Sequence, residues 1–128
     1  MYVFHPIIHT YCCCVIGGRP GGDSSERIRE RVITARKLQQ LRFHEKPGMN
    51  CNAQMDSKLL KEHCVIDEAG KRLLATAMER LKLSARAYDR ILKVARTIAD
   101  LSDSASIESQ HLAEAIQYRS LDRENWAG

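Results

Sequence analysis

The stretch Leu83–Leu101, LSARAYDRILKVARTIADL, decides the fold. Ser84 is a good N-cap, and neither Pro nor Gly follows it until Gly128, so nothing breaks a helix before the Ser/Asp cluster at Ser102–Ser106. Apolar residues recur at Tyr88, Ile91, Leu92, Ala95, Ile98 and Ala99, the spacing that lines one side of an α-helix. On the other side Arg86, Arg90 and Lys93 form a cationic stripe that begins in the first turn. A cation there opposes the helix macrodipole, a cost of about 0.3–1 kcal/mol when exposed. Arg86 breaks a local rule with no visible structural gain, which marks it as a functional candidate.

Working outward, Asp67 to about Leu81 predicts a helix capped by Asp67, with Leu73, Leu74, Ala77 and Met78 facing inward. Gly70 in its first turn weakens it by up to ~1 kcal/mol. Only Lys82 joins this helix to the next, which predicts a helical hairpin. Asp23 to about Phe43 reads as the first helix. Asp23 and Glu26 fit a capping box, and Ile28, Val32, Ala35 and Leu38 mark the core stripe. Arg27, Arg29, Arg31, Arg36, Lys37 and Arg42 fill its other faces, either as a solvated basic surface or as contacts to a neighbouring subunit or nucleic acid. His44–Asp56 is a connection with Pro47 and Gly48 as breakers. Ser57 to about Cys64 is a short helix capped by Asp56 or Ser57. His63 and Cys64 diverge on it by ~100°, which suits one surface and one core residue rather than a ligand pair. Glu108–Arg119 is the last helix, with Leu112, Ala115 and Ile116 inward and Ile107 stapling its start. These periods predict an all-α protein, a small orthogonal helical bundle of about five helices. A poorly ordered segment precedes it (residues 1–22), the helical domain covers 23–120, and a polar tail with Trp126 covers 121–128.

Composition narrows the function. With 128 residues, 44% hydrophobic and 28% charged, the chain suits one ordered domain. Aromatics at 5% leave the core to Leu, Ile, Val and Ala. A net charge of +4 permits contact with phosphates without demanding it. Five cysteines, three of them consecutive, are not a disulfide framework, and an odd count without a secretory signal predicts a cytoplasmic setting. Met1–Ile16 is too short to span a membrane and contains Pro6. His5, His9, Cys12 and Cys14 do not make a standard zinc spacing, so no metal is expected. Gly17–Gly22, GGRPGG, is a hinge. It lacks the Lys-Ser/Thr of a phosphate loop, and no such loop occurs in the chain, so ATP hydrolysis by these residues alone is excluded. No nucleophile–base pair is legible either.

Four segments together carry a resemblance: SERIRERVITARKLQQLRF at Ser25–Phe43, CNAQM at Cys51–Met55, the Leu83–Leu101 stretch, and HLAEAIQYRSLDR at His111–Arg123. In this order they resemble the C-terminal lid of magnesium-chelatase-like AAA+ ATPases, most closely the ComM-type competence proteins, over about Gly18–Arg123. The resemblance implies that Ser84-Ala85-Arg86 is the sensor-2 motif, with Arg86 contacting the γ-phosphate of ATP and Arg90 a weaker candidate. It also favours Arg29, Arg31 and Arg36 for subunit or nucleic-acid contacts. Its implied partners are the AAA+ core of the same protein, further copies in a hexamer, and DNA. ATP and magnesium would be bound mainly by that core. The implied whole is a DNA helicase or branch-migration motor, with a magnesium chelatase subunit as the alternative. A stand-alone basic helical module that binds nucleic acid is a reading of another class, as is a plain interaction scaffold.

Overall fold

A computed structural model describes residues 22–124, with side chains described through Arg119. The readings of Met1–Ile16 as poorly ordered and without a zinc site, and Trp126, lie outside the described residues. The chain divides into two compact units, Met1–Glu30 and Arg31–Gly128. The described part of the first is the opening of helix α1 (Ser25–Arg42). There Ser24 Oγ accepts the amide of Arg27 at 3.4 Å, and the Asp23 carboxylate lies 3.6 Å from the Arg27 guanidinium. Ser24, rather than the expected Asp23, is the capping residue, because the helix starts one residue later than the sequence suggested.

The second unit holds the rest of α1, a 3-10 turn (Asn52–Gln54), and helices α2 (Ser57–His63), α3 (Glu68–Arg80), α4 (Ala85–Leu101) and α5 (Ser109–Glu124). No strand occurs among the described residues, and Ile66 and Ile107 make one isolated parallel bridge. The all-α reading with five helices holds. Asp56, Asp67 and Ser84 cap α2, α3 and α4 as expected, accepting amides of Leu59, Gly70 and Ala87 at 2.8, 2.7 and 3.3 Å. Each such cap is worth roughly 1 kcal/mol. No helix among the described residues is long and apolar enough to cross a membrane.

The core is aliphatic. Leu74, Ile91 and Leu112 are fully enclosed, with Ala95 and Ala99 letting α5 lie close against α4. Burying each Leu or Ile contributes about 1.5–3 kcal/mol. Three expectations need correction. Ile28 and Val32 are 44% and 37% exposed, and burial on α1 begins at Ala35. Periodicity shows which face is apolar, not whether another element covers it. For the same reason Leu73 and Tyr88 lie at the exposed margin of their helices. The expected α3–α4 hairpin does not form: each helix packs chiefly on α5. Lys82 adopts a left-handed conformation (φ 47°) and closes a Schellman motif, Leu83 N donating to Met78 O at 3.0 Å, which redirects the chain instead of folding it back.

Gly70 is not merely a weak helix former. A Cβ on it would lie 2.7 Å from Leu112 Cδ1 and 2.9 Å from Asp67 Oδ1. Glycine is what lets the first turn of α3 approach α5 this closely. Helix α5 itself continues to Glu124, beyond the expected end at Arg119.

Candidate functional site

Helix α4 carries both of the chain's notable arginine arrangements. At its N-terminus, Ser84 caps the helix and Ala85 opens it, so Arg86 falls in the first turn. Ala87 next to it is buried and fixes the orientation of that turn, while Arg86 itself is exposed. It forms no ion pair or hydrogen bond among the described residues. Arg90, one turn on, is exposed in the same way. Lys93 departs from the pattern: its Nζ donates to Ala53 O of the 3-10 turn at 3.1 Å. The stripe therefore consists of two open guanidinium groups followed by a tethered ammonium.

At the other end of α4 the chemistry is internal. Asp100 is 1% exposed and Arg96, one turn before it, 4%. Arg42, at the end of α1, donates to both Asp100 oxygens, at 2.8 Å to Oδ2 and 2.6 Å to Oδ1. Arg96 Nε donates to Oδ1 at 3.1 Å. Its two terminal nitrogens donate to the backbone oxygens of Ala105 and Ser104 at 3.0 and 2.7 Å. Asn52 completes the cluster. Its Nδ2 donates to Asp100 Oδ2 at 2.8 Å and to Thr97 Oγ1 at 3.1 Å, while its Oδ1 accepts from Arg42 at 2.6 Å. Burial alone would raise the Asp100 pKa. The hydrogen bonds from Arg42 and Asn52 and the two neighbouring positive charges outweigh it and hold the carboxyl below its ordinary value. Two cations and one carboxylate satisfied in this way form a locked joint between α1, the 3-10 turn and α4.

That joint was not legible in advance. The pattern puts Arg42 among the basic residues on the outer faces of α1, whereas its side chain is only 15% exposed. The available signal was Arg96 and Asp100 spaced i, i+4 at the border of the apolar stripe. The CNAQM landmark now has a local explanation: Asn52 feeds the network, Met55 is buried in the core, and Gln54 Oε1 accepts the amides of Asn50 and Cys51 at 2.7 and 3.3 Å. Of the other named arginines, Arg29 and Arg36 are exposed on α1, and Arg31 has a partner within the chain. His63 is half-buried, its ring edge-on to Phe43 at 6.0 Å, and Cys64 is buried, which pushes its thiol up to about 11. Among the described residues no group of three or more His, Cys, Asp or Glu is placed to hold a metal ion.

Residues 22–119 match the family described as magnesium chelatase, subunit ChlI C-terminal. The competence protein ComM of Haemophilus influenzae is 41% identical over 102 residues, which cover 80% of this chain and 19% of that protein. The YifB protein of Escherichia coli is 40% identical over 102 residues, and the Rv2897c protein of Mycobacterium tuberculosis 34% over 98 residues. The chain thus spans about a fifth of the length of the relatives it matches. With the match running from the start of α1 into α5, the chain belongs to the magnesium chelatase subunit ChlI C-terminal family.

Proposed function

We propose that this chain is the lid of a magnesium-chelatase-like AAA+ ATPase, its helical domain spanning residues 23–120, and that Arg86 is its sensor-2 arginine. The observation that supports this most is the uncommitted guanidinium of Arg86, presented from a capped helix start while two other arginines are consumed inside the fold. Phosphoryl transfer builds negative charge on the γ-phosphate oxygens, and a planar guanidinium donates to such oxygens in pairs. Arg86 would bind and orient that terminal phosphate. ATP with its magnesium supplies the phosphoryl group, held by a core outside these residues. The cap at Ser84 and the joint at Asp100 keep α4 rigid, so movement of the lid carries Arg86 with it.

For the whole protein, the reading is a hexameric, cytoplasmic motor acting on DNA, a helicase or branch-migration enzyme. It is supported by 41% identity to a protein named for competence. A magnesium chelatase subunit is the second reading, supported by the family's name. The test is Arg86→Ala and Arg86→Lys in the full-length protein. Both are expected to lower the rate of ATP hydrolysis at saturating ATP, Arg86→Ala by about 100- to 1,000-fold, the usual scale for losing one donor to transition-state charge. Thermal melting of the lid should not fall in either variant. Unchanged hydrolysis in Arg86→Ala would overturn the sensor assignment.

A further inference from the structure

One face of α1 has no cover among the described residues. Ile33, Arg36, Lys37, Gln40 and Leu41 follow the i, i+3, i+4, i+7, i+8 spacing that lines one side of a helix, and all five are exposed. Ile33 and Leu41, at its two ends, are 45% and 70% exposed. Arg36 and Lys37 lie between them and make no ion pair or hydrogen bond among the described residues. The opposite side of the helix carries Ala35 and Gln39, which are buried, and Arg42, which is held on Asp100. A second surface has the opposite charge. A cleft of about 880 Å3 lies between the end of α2 and the segment leading into α5. Val65, 68% exposed, Ile66 and Ile107 give it apolar walls, and Glu62, Asp67 and Glu108 line it as well. Each carboxylate uses one oxygen locally, toward His63 at 3.9 Å, the Gly70 amide at 2.7 Å and Gln110 at 2.9 Å, and leaves the other open. Arg42 and Arg96 line the cleft too, but their nitrogens are spent on Asp100, Asn52 and the backbone oxygens of Ser104 and Ala105. The cleft therefore offers apolar surface flanked by open carboxylate oxygens.

We infer that the outer face of α1 in one copy of this chain docks in the α2–α5 cleft of the next, with Ile33 and Leu41 on the apolar walls and Arg36 and Lys37 on Glu62, Asp67 and Glu108. A helix laid in a groove by anchors at this spacing is a common mode of recognition, and opposite charge on the two surfaces sets its register. Within one copy the two cannot meet, because α1 turns its Ala35, Gln39 and Arg42 side inward and the Arg42 joint holds it there. Each copy then carries one face and one cleft, a head-to-tail contact that closes into a ring or runs on as a filament. A stripe of about two turns buries less than the ~1,200 Å2 of a standard interface, so the contact is weak between free chains and counts when an assembly holds copies side by side. It is separate from nucleotide binding, and loss of the Arg86 role would leave it in place. The multi-copy reading of the whole protein would survive its failure through contacts of other domains.

The experiment is analytical ultracentrifugation of this 128-residue chain at low salt, from about 10 μM to about 1 mM, a range that spans weak association. The average mass should rise with concentration without levelling off at a dimer, and the rise should shrink as added salt screens the charges. Arg36→Glu and Glu62→Lys each set like charge against like across the contact, and each alone should stay monomeric. An equal mixture of the two should associate again, because the basic α1 face of Glu62→Lys still fits the acidic cleft of Arg36→Glu. That rescue also shows that both variants are folded. Both positions are exposed, so circular dichroism melts should match the parent. A parent chain that remains monomeric at about 1 mM overturns the proposal, since even weak association is visible there. So does association that Glu62→Lys leaves unchanged, which would mean that the copies meet through another surface.

Discussion

Arg96 and Arg86 sit on one helix, roughly 15 Å apart along its axis at 1.5 Å per residue, and the fold treats them in opposite ways. Arg96 has its donors spent on one carboxylate and two backbone oxygens. Arg86, in the first turn, has none spent within the described residues. Residue type does not separate them, since both are arginines on α4. What separates them is the environment that each end of the helix meets. The C-terminal end runs into α1 and the 3-10 turn, where Asp100 gathers Arg42, Arg96 and Asn52. The N-terminal end projects its cation outward from a capped start. One end anchors the helix, and the other presents a charge from it.

The largest test of this contrast is Asp100→Ala. It leaves two guanidinium groups in the interior without their carboxylate, and breaking a buried pair in this way costs about 3–5 kcal/mol. That is a large share of the ~5–15 kcal/mol that holds a domain together. Urea unfolding should show the loss directly, and an effect below about 1 kcal/mol would mean the joint does not hold α1 to α4. The same carboxylate gives a pH signature. Its folded pKa lies below the unfolded value, so the folded state binds the proton more weakly. Its stabilisation is complete above the unfolded value of about 3.9 and is lost as pH falls through the lower folded value. Between pH 5 and pH 3 the parent should therefore lose more stability than Asp100→Ala does.

The anchored end holds a smaller, separate strain. Helix α4 ends in a Schellman motif, with Ser104 N donating to Ala99 O at 2.9 Å and Asp103 N to Asp100 O at 3.2 Å. Asp103 therefore takes the left-handed position (φ 53°), which favours glycine. Asp103→Gly should raise stability by up to about 1 kcal/mol, measured by the same urea titration. A loss instead would show that the Asp103 side chain contributes to the joint.

How much of this could be read from the chain differs between the two ends. The helix starts at Ser57, Glu68 and Ala85 follow from Asp56, Asp67 and Ser84, because capping depends on a few consecutive residues. The buried stripe Ile91, Leu92, Ala95, Ile98 and Ala99 follows from period alone. Arg86 stands out in the sequence because it opposes the local dipole, a rule that needs no tertiary information. The joint at Asp100 was not legible, because its members come from Arg42, Asn52 and Arg96, up to 58 residues apart in sequence, and each is unremarkable alone. The packing role of Gly70 is hidden for the same reason. Its helix propensity is local, but the Leu112 methyl that excludes a Cβ belongs to another helix. The exposed Ile28 and Val32 belong here too, since an apolar face is written in the sequence and its cover is not.

The smallest expected effect decides the sign at the presenting end. If Arg86 is there for a ligand and not for the fold, removing its charge should help the isolated chain. A cation in the first turn faces the partial positive charge of unsatisfied amides, and relieving that is worth about 0.3–1 kcal/mol at low ionic strength. Arg86→Gln keeps helix propensity and side-chain length nearly constant, so the dipole contribution is left to show. Its urea midpoint should rise slightly at low salt and return to the parent value near 1 M salt, where the Debye length is about 3 Å. A fall in stability would mean that the guanidinium has an intramolecular partner after all, and the two arginines of α4 would no longer be opposites.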